Sequence, residues 1–349
     1  MNRIGTGLVA LAFAALPVFA NGITYDCSSS LSISVCTTLQ TTIAGQYASV
    51  FTNANSVIYV QMGNIGKDVG ENVQFYGTVD YASYYAQLTA NASGTADSTA
   101  ISSLGGGTTN PVVSGDGVAM TSSLAAALGF SGSSGICTTA TDASCNTRDP
   151  SCTLGQANCY NDIITISSTE PLYYDTGTYI SGEYDFFTTV EHETDEALGT
   201  SSCLVTEPSP PGPANTPEVS PACDGGSAVS AADLFRYSAS GTRSFFGPGG
   251  DQADANTLAY FSINGGVTNL APYNNSPNGG DYGDFSTNCT YVQDADGCNT
   301  GFGTNILNDG GVEIAMLDAV GYNEAPEPGT IGMLILGLGL MPGIRRKTR

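Results

Sequence analysis

The chain reads as an α+β fold with disulfide-clipped loops, and three features of its 349 residues predict this. Stretches with apolar residues at helical spacing are interleaved with short β-branched runs. No repeat recurs at a fixed period. Ten cysteines fall into five close couples, Cys27/Cys36, Cys137/Cys145, Cys152/Cys159, Cys203/Cys223 and Cys289/Cys298. An even count at short spacing reads as local disulfides formed in an oxidising compartment. No CxxC couple occurs, which argues against a cysteine-built zinc site.

The elements follow in chain order. Arg3, an apolar run over 4–19 and the small residues around Ala20 predict a signal peptide, 1–20, cut after Ala20. Ile43, Tyr47, Val50 and Phe51 place a helix at 41–51, and SVIYVQM at 56–62 is a strand. Segments 81–90 and 122–128 are again helical, and DIITISS at 162–168 is a buried strand. Six prolines between 207 and 221 exclude helix and central strand, so this stretch is a surface excursion inside the Cys203/Cys223 loop. Segments 258–263 and 267–270 flank Asn264-Gly265-Gly266 as a hairpin, and GVEIAMLDAVGY closes the body as a helix ended by Gly321.

Beyond the body, 21–322, stands a tail, 323–349. It carries Pro326-Glu327-Pro328, an apolar run of fourteen residues at 331–344, and then Arg345, Arg346, Lys347 and Arg349. The basic end stays cytoplasmic by the positive-inside rule, and so short and glycine-rich a run suits a transient span. The body is therefore expected outside the cytoplasm, as one domain or as two lobes at 21–160 and 161–322. The order of these three parts resembles the PEP-CTERM sorting tail of Gram-negative bacteria. That resemblance implies a membrane sorting enzyme that processes the tail, and a final location at the cell surface or beyond it.

Charge bounds the partners. Between the two ends lie four basic residues, Lys67, Arg148, Arg236 and Arg243, against 32 acidic residues in the chain. Nucleic-acid binding is excluded at this balance, whereas clustered carboxylates invite divalent cations.

The segment that carries chemistry is YDFFTTVEHETDEALG, 184–199. On a helical wheel His192, Glu193 and Glu196 share one side. Phe186, Phe187, Val190, Ala197 and Leu198 form a core-facing arc, and Glu191 and Asp195 take the remaining side, where they can face water. Residues at i and i+4 can hold one Zn²⁺, and the residue at i+1 can act as general base on a water. Here the pattern is HExxE, so His192 and Glu196 are the candidate ligands and Glu193 the candidate base. His192 is the only histidine of the chain. A third ligand must then be a carboxylate, and Asp233, Asp281 and Asp284 are the candidates. Asp233, at the start of a helix-like DLFRYS segment, is preferred, although its side chain can equally cap that helix. Met316 reads as a core methionine rather than as part of a metal-site turn.

These residues, with SAADLFRYSASGTRSF, TLAYFSINGGVTNLAPYN, GGDYGDF and GVEIAMLDAVGY, resemble a bacterial family of secreted metallopeptidases with an HExxExxG helix. The likeness spans most of 160–322. It implies a zincin-like domain whose active-site helix lies against a small mixed sheet and whose substrates are peptides or proteins. The chain departs from metzincins, which carry a third histidine where this sequence has Ser202. Two other readings use different residues. In one, Asp281, Asp284, Asp294 and Asp296 bind structural Ca²⁺ in a non-catalytic surface or matrix protein. In the other, exposed tyrosines serve a carbohydrate-binding module.

Overall fold

The computed structural model describes residues 22–325, except 114, 132–133, 147–149, 176–179, 207–216, 220–222, 224–227, 246–258, 275–280, 287–288, 296, 298 and 300–303. The expected signal peptide, Pro326-Glu327-Pro328 and the apolar tail lie outside the described residues. Among those described, no helix is long and apolar enough to cross a membrane.

A mixed four-stranded sheet organises the body. Ile23–Cys27 pairs in parallel with Ser56–Gly63, which pairs in parallel with Asp162–Ser167. Gly70–Gln74 then adds antiparallel at the edge. All six residues of Asp162–Ser167 are buried, the burial expected of a strand covered on both faces. The edge strand instead alternates between half-buried and exposed positions. Its half-buried residues Gly70 and Asn72 meet the HExxE helix, and Gln74 reaches Ser201 just after it.

Two smaller sheets complete the fold. Gly117–Thr121 lies between Ala228–Ser230, parallel to it, and Tyr76–Asp80, antiparallel to it. Thr242–Arg243, Arg236–Ala239, Tyr260–Phe261 and Ala271–Pro272 form an antiparallel sheet in that order. The architecture is mixed α+β. One continuous apolar core runs from Ile23 to Tyr322 and draws on residues before and after position 160.

The expected helices form, one of them with an earlier start, and Thr95–Leu104 adds a helix that was not expected. Tyr81–Asn91 is capped by the Asp80 carboxylate, which accepts from Ser83 N at 2.8 Å. Ser122–Ala127 is capped in the same way by Thr121. The helix expected over 41–51 begins earlier, as Ile33–Thr38, a π turn Leu39–Ile43 and then Ala44–Val50. Its buried residues Val35, Leu39, Ile43 and Tyr47 recur every four positions, so the apolar stripe extends upstream of the predicted start.

The 258–270 hairpin also shifts. Asn264-Gly265-Gly266 does turn, and Asn264 Oδ1 accepts from Thr268 N at 2.9 Å. The returning strand, however, is Ala271–Pro272, and Val267 is 71% exposed. The amide fold-back at 264–268 takes up the residues that were expected to pair.

Four of the five expected disulfides form: Cys27–Cys36, Cys137–Cys145, Cys152–Cys159 and Cys203–Cys223. For the fifth couple, Cys298 lies outside the described residues. Within the proline-rich loop, Pro217–Val219 pairs antiparallel with Leu204–Thr206 as a two-stranded ribbon. Of the eighteen tyrosines, Tyr25, Tyr47, Tyr81, Tyr84, Tyr237, Tyr282 and Tyr322 are buried in the core, whereas Tyr174 is 44% exposed.

Candidate metal centre

The HExxE helix spans Phe186–Asp195 and passes into a π turn, Glu196–Thr200. Its start is fixed by Asp185, whose Oδ1 accepts from Phe187 N at 2.9 Å and Thr188 N at 3.3 Å. Phe186, Phe187, Val190, Ala197 and Leu198 pack into the core, as the wheel predicts. Inside the π turn stands Gly199, where φ is +119° and an added Cβ would meet Leu124 at 3.0 Å. Only glycine takes this backbone cheaply. The chain can therefore leave the helix immediately after Glu196 without disturbing it.

His192, Glu196 and Asp284 come together, with one ligand atom from each within 4.8 Å of the others. His192 Nδ1 lies 3.0 Å from the Val292 carbonyl. A carbonyl only accepts, so Nδ1 donates to Val292 and Nε2 is the ring nitrogen turned toward the cluster. Facing it at 3.6 Å is Asp284 Oδ1, a buried oxygen with no hydrogen-bond partner. A proton or a cation between these two atoms would satisfy both. Glu196 is steadied from the edge strand, where Asn72 Nδ2 donates to its Oε2 at 2.8 Å and also reaches the Glu193 carbonyl at 3.2 Å. A protein donor on one carboxylate oxygen and a backbone partner on the imidazole are the outer contacts expected around a metal site.

Glu193 lies beside this group, nearly buried and pressed against the edge strand. A Cβ placed on Gly70 would come within 2.4 Å of its Oε1, so glycine at 70 leaves room for the carboxylate. Burial raises Glu193 well above the ordinary carboxylate range, and Glu196, Asp162 and Asp284 push it further. Glu196 is raised by burial and then by Asp281 and Asp284, with His192 and Asn72 acting in the opposite direction. Asp284 is raised by burial and by Asp281. Asp162 opens the central strand fully buried, with both carboxylate oxygens unpartnered and the charge of Glu196 close by. Without an ion these carboxyl groups favour their protonated form, and a dication held among them would take the place of those protons. The donor set of one nitrogen and two carboxylates suits zinc, and a Ca²⁺ site would hold oxygens alone.

The structure departs from the sequence reading at two points. Asp233 is not in the group. Its carboxylate accepts from Ser202 Oγ at 2.5 Å, Cys203 N at 2.9 Å and Ser230 N at 3.0 Å, tying the chain after the π turn to the strand Ala228–Ser230. Three donors hold its oxygens, and none remains to turn toward His192. Glu191 and Asp195, expected to face water, are 1% and 0% exposed. Segment 305–313 and Tyr47 cover that side of the helix, a contact across more than a hundred residues that no wheel contains.

Asp284 lies 92 positions from His192 and no spacing marks it, whereas Val292 contributes only a backbone carbonyl, on which the residue type is silent. Of the proposed calcium residues, Asp294 caps a turn by accepting from Thr290 N at 2.7 Å, and Asp296 lies outside the described residues. Met316 is fully buried in the closing helix Val312–Val320. Comparison with known proteins finds no matching family model, no matching curated protein and no matching solved structure.

Proposed function

We propose that this chain is an exported zinc-dependent peptidase that hydrolyses peptide bonds in peptide or protein substrates. The observation that carries the reading is the convergence of His192 Nε2, Asp284 Oδ1 and a Glu196 carboxylate oxygen, the first two 3.6 Å apart. His192, Glu196 and Asp284 would hold the ion. When bound there, zinc supplies Lewis-acid chemistry, polarising a peptide carbonyl and acidifying a water.

The chain's own residues do the rest. Glu193, one position after a ligand and free of the ligand group, takes a proton from the attacking water on its carboxylate and passes it to the leaving amine. Its enclosure favours holding that proton between the two steps, because burial raises its affinity for it. Asn72 keeps the Glu196 carboxylate oriented from the sheet edge. Val292 fixes the tautomer and direction of His192.

Export is part of the same proposal. The four disulfides belong to an oxidising compartment, which supports secretion past the inner membrane. The tail would hold the chain transiently there until a sorting enzyme acts on it and leaves the body at the surface or outside.

The test is Glu193→Gln in the secreted protein, with casein as substrate. Hydrolysis should fall by roughly a thousandfold while bound zinc stays at one equivalent. Cleavage at the wild-type rate by that variant would remove Glu193 from the chemistry.

A further inference from the structure

Gln293 is a buried side chain that the proposed reaction does not use, and it stands where the candidate ligands join the rest of the fold. It is 1% exposed. Its Oε1 accepts from Thr200 Oγ1 at 2.9 Å, at the end of the π turn that Glu196 opens. Its backbone N donates to Glu313 Oε1 at 3.0 Å, and its carbonyl accepts from Phe285 N at 2.6 Å. Val292, the residue before it, supplies the carbonyl that orients His192. This dipeptide is therefore tied to the helix exit, to the closing helix, to His192 and to the residue after Asp284.

The backbone pairing says which way the amide leaves. Phe285 and Asp294 form a parallel bridge, and Ala295 N donates to Phe285 O at 3.0 Å. Asp284 and Gln293 each precede a bridged residue, so they are neighbours across the pair with side chains on the same side. The two carry complementary unpartnered atoms. Gln293 Nε2 is buried without a hydrogen-bond partner, and so is Asp284 Oδ1. An amide oxygen turned toward Asp284 would face another acceptor, so Oε1 takes the Thr200 hydroxyl and Nε2 is left for the carboxylate. A donor beside that carboxyl group favours its ionised form, the form a metal ligand needs.

We propose that Gln293 is a positioning residue of the zinc site, whose amide turns the Asp284 carboxylate toward the ion. The proposal rests on the peptidase reading only in requiring that His192, Glu196 and Asp284 bind zinc. Asn72 Nδ2 holds Glu196 in the same way from the sheet edge. Each carboxylate ligand then has its own side-chain amide, and the histidine has a backbone carbonyl, which is the outer support that fixes ligand direction.

The experiment is zinc titration of the metal-free secreted protein, with Co²⁺ as a spectroscopic probe of the same site. Gln293→Met keeps the side chain's length and bulk and removes the amide. Zinc affinity should fall about tenfold or more, and the visible absorption of the Co²⁺-loaded protein should shift as the ligand geometry changes. In an Asp284→Ala background the same substitution should cost no further affinity, because the carboxylate on which the amide acts is gone. A purely structural role would instead lower the melting temperature of the metal-free protein and leave the Co²⁺ spectrum alone. Thr200→Val keeps the amide and frees its oxygen, so it serves if Gln293→Met folds poorly, and it should weaken zinc binding in the same direction by less. Unchanged affinity and spectrum in Gln293→Met, or an equal loss with and without Asp284, would overturn the positioning role and leave the zinc site standing. A parent protein that binds neither Zn²⁺ nor Co²⁺ would overturn both.

Discussion

The two acidic sides of one helix make the instructive comparison. His192 and Glu196 stand four residues apart, as do Glu191 and Asp195, and both pairs meet carboxylates brought in from far along the chain. The first side includes a nitrogen, oriented by a backbone carbonyl, and its histidine side chain keeps 17% of its surface exposed. The second holds oxygens only and is sealed by Tyr47 and segment 305–313. A nitrogen donor with some access to solvent suits a reactive zinc, whereas the closed side fastens the helix to Tyr47 and to the segment after 304. One helix can therefore carry a chemical side and a structural side, which differ in donor type more than in charge.

The widest separation of the two candidate third ligands comes from paired substitutions. Asp284→Ala should lower zinc affinity by a hundredfold or more, on the order of what losing a direct ligand costs. Asp233→Ala should leave zinc content unchanged and instead destabilise the fold by about 3 kcal/mol, since three donors lose a buried acceptor. Zinc titration and thermal unfolding of both variants decide it, and the opposite pattern would restore Asp233 as a ligand.

A smaller effect should follow at the sheet edge. Asn72→Ala removes the donor that orients Glu196 and should weaken zinc binding about tenfold or somewhat more, without touching the second side of the helix. Unchanged zinc affinity in that variant would show that Asn72 does not orient Glu196.

How much of this could be read beforehand differs between the two sides. The amphipathic pattern of 184–199 places the helix, its core arc and the shared side of His192, Glu193 and Glu196, because those relations are local and follow from 3.6 residues per turn. The wheel misplaces Glu191 and Asp195, because whatever covers a helix face is set by tertiary contact. Asp284 and Asp233 sit in equally motif-like stretches. Only the three hydrogen bonds that occupy Asp233 distinguish a brace from a ligand.

The mildest effect concerns pH. Asp318, on the closing helix, is raised by burial and by Asp97 and Glu324 to about 8. A carboxyl that holds its proton more tightly when folded adds stability that is complete below the ordinary carboxylate range and is lost as pH rises toward that value. The carboxyl groups on both sides of the HExxE helix shift in the same direction. Metal-free protein should therefore melt at lower temperature at about pH 9 than at about pH 5, and Asp318→Asn should flatten the slope. Melting temperatures that rise with pH in chelator would contradict this reading of the buried carboxyl groups.

Anomalous diffraction at the zinc edge, from crystals of the secreted protein grown with zinc, tests the central claim most directly. The account predicts one strong peak bonded to His192 Nε2, Glu196 and Asp284 at about 2.0–2.2 Å, with Glu193 nearby but unbonded. A peak at Asp233, or no peak within reach of His192, would contradict it.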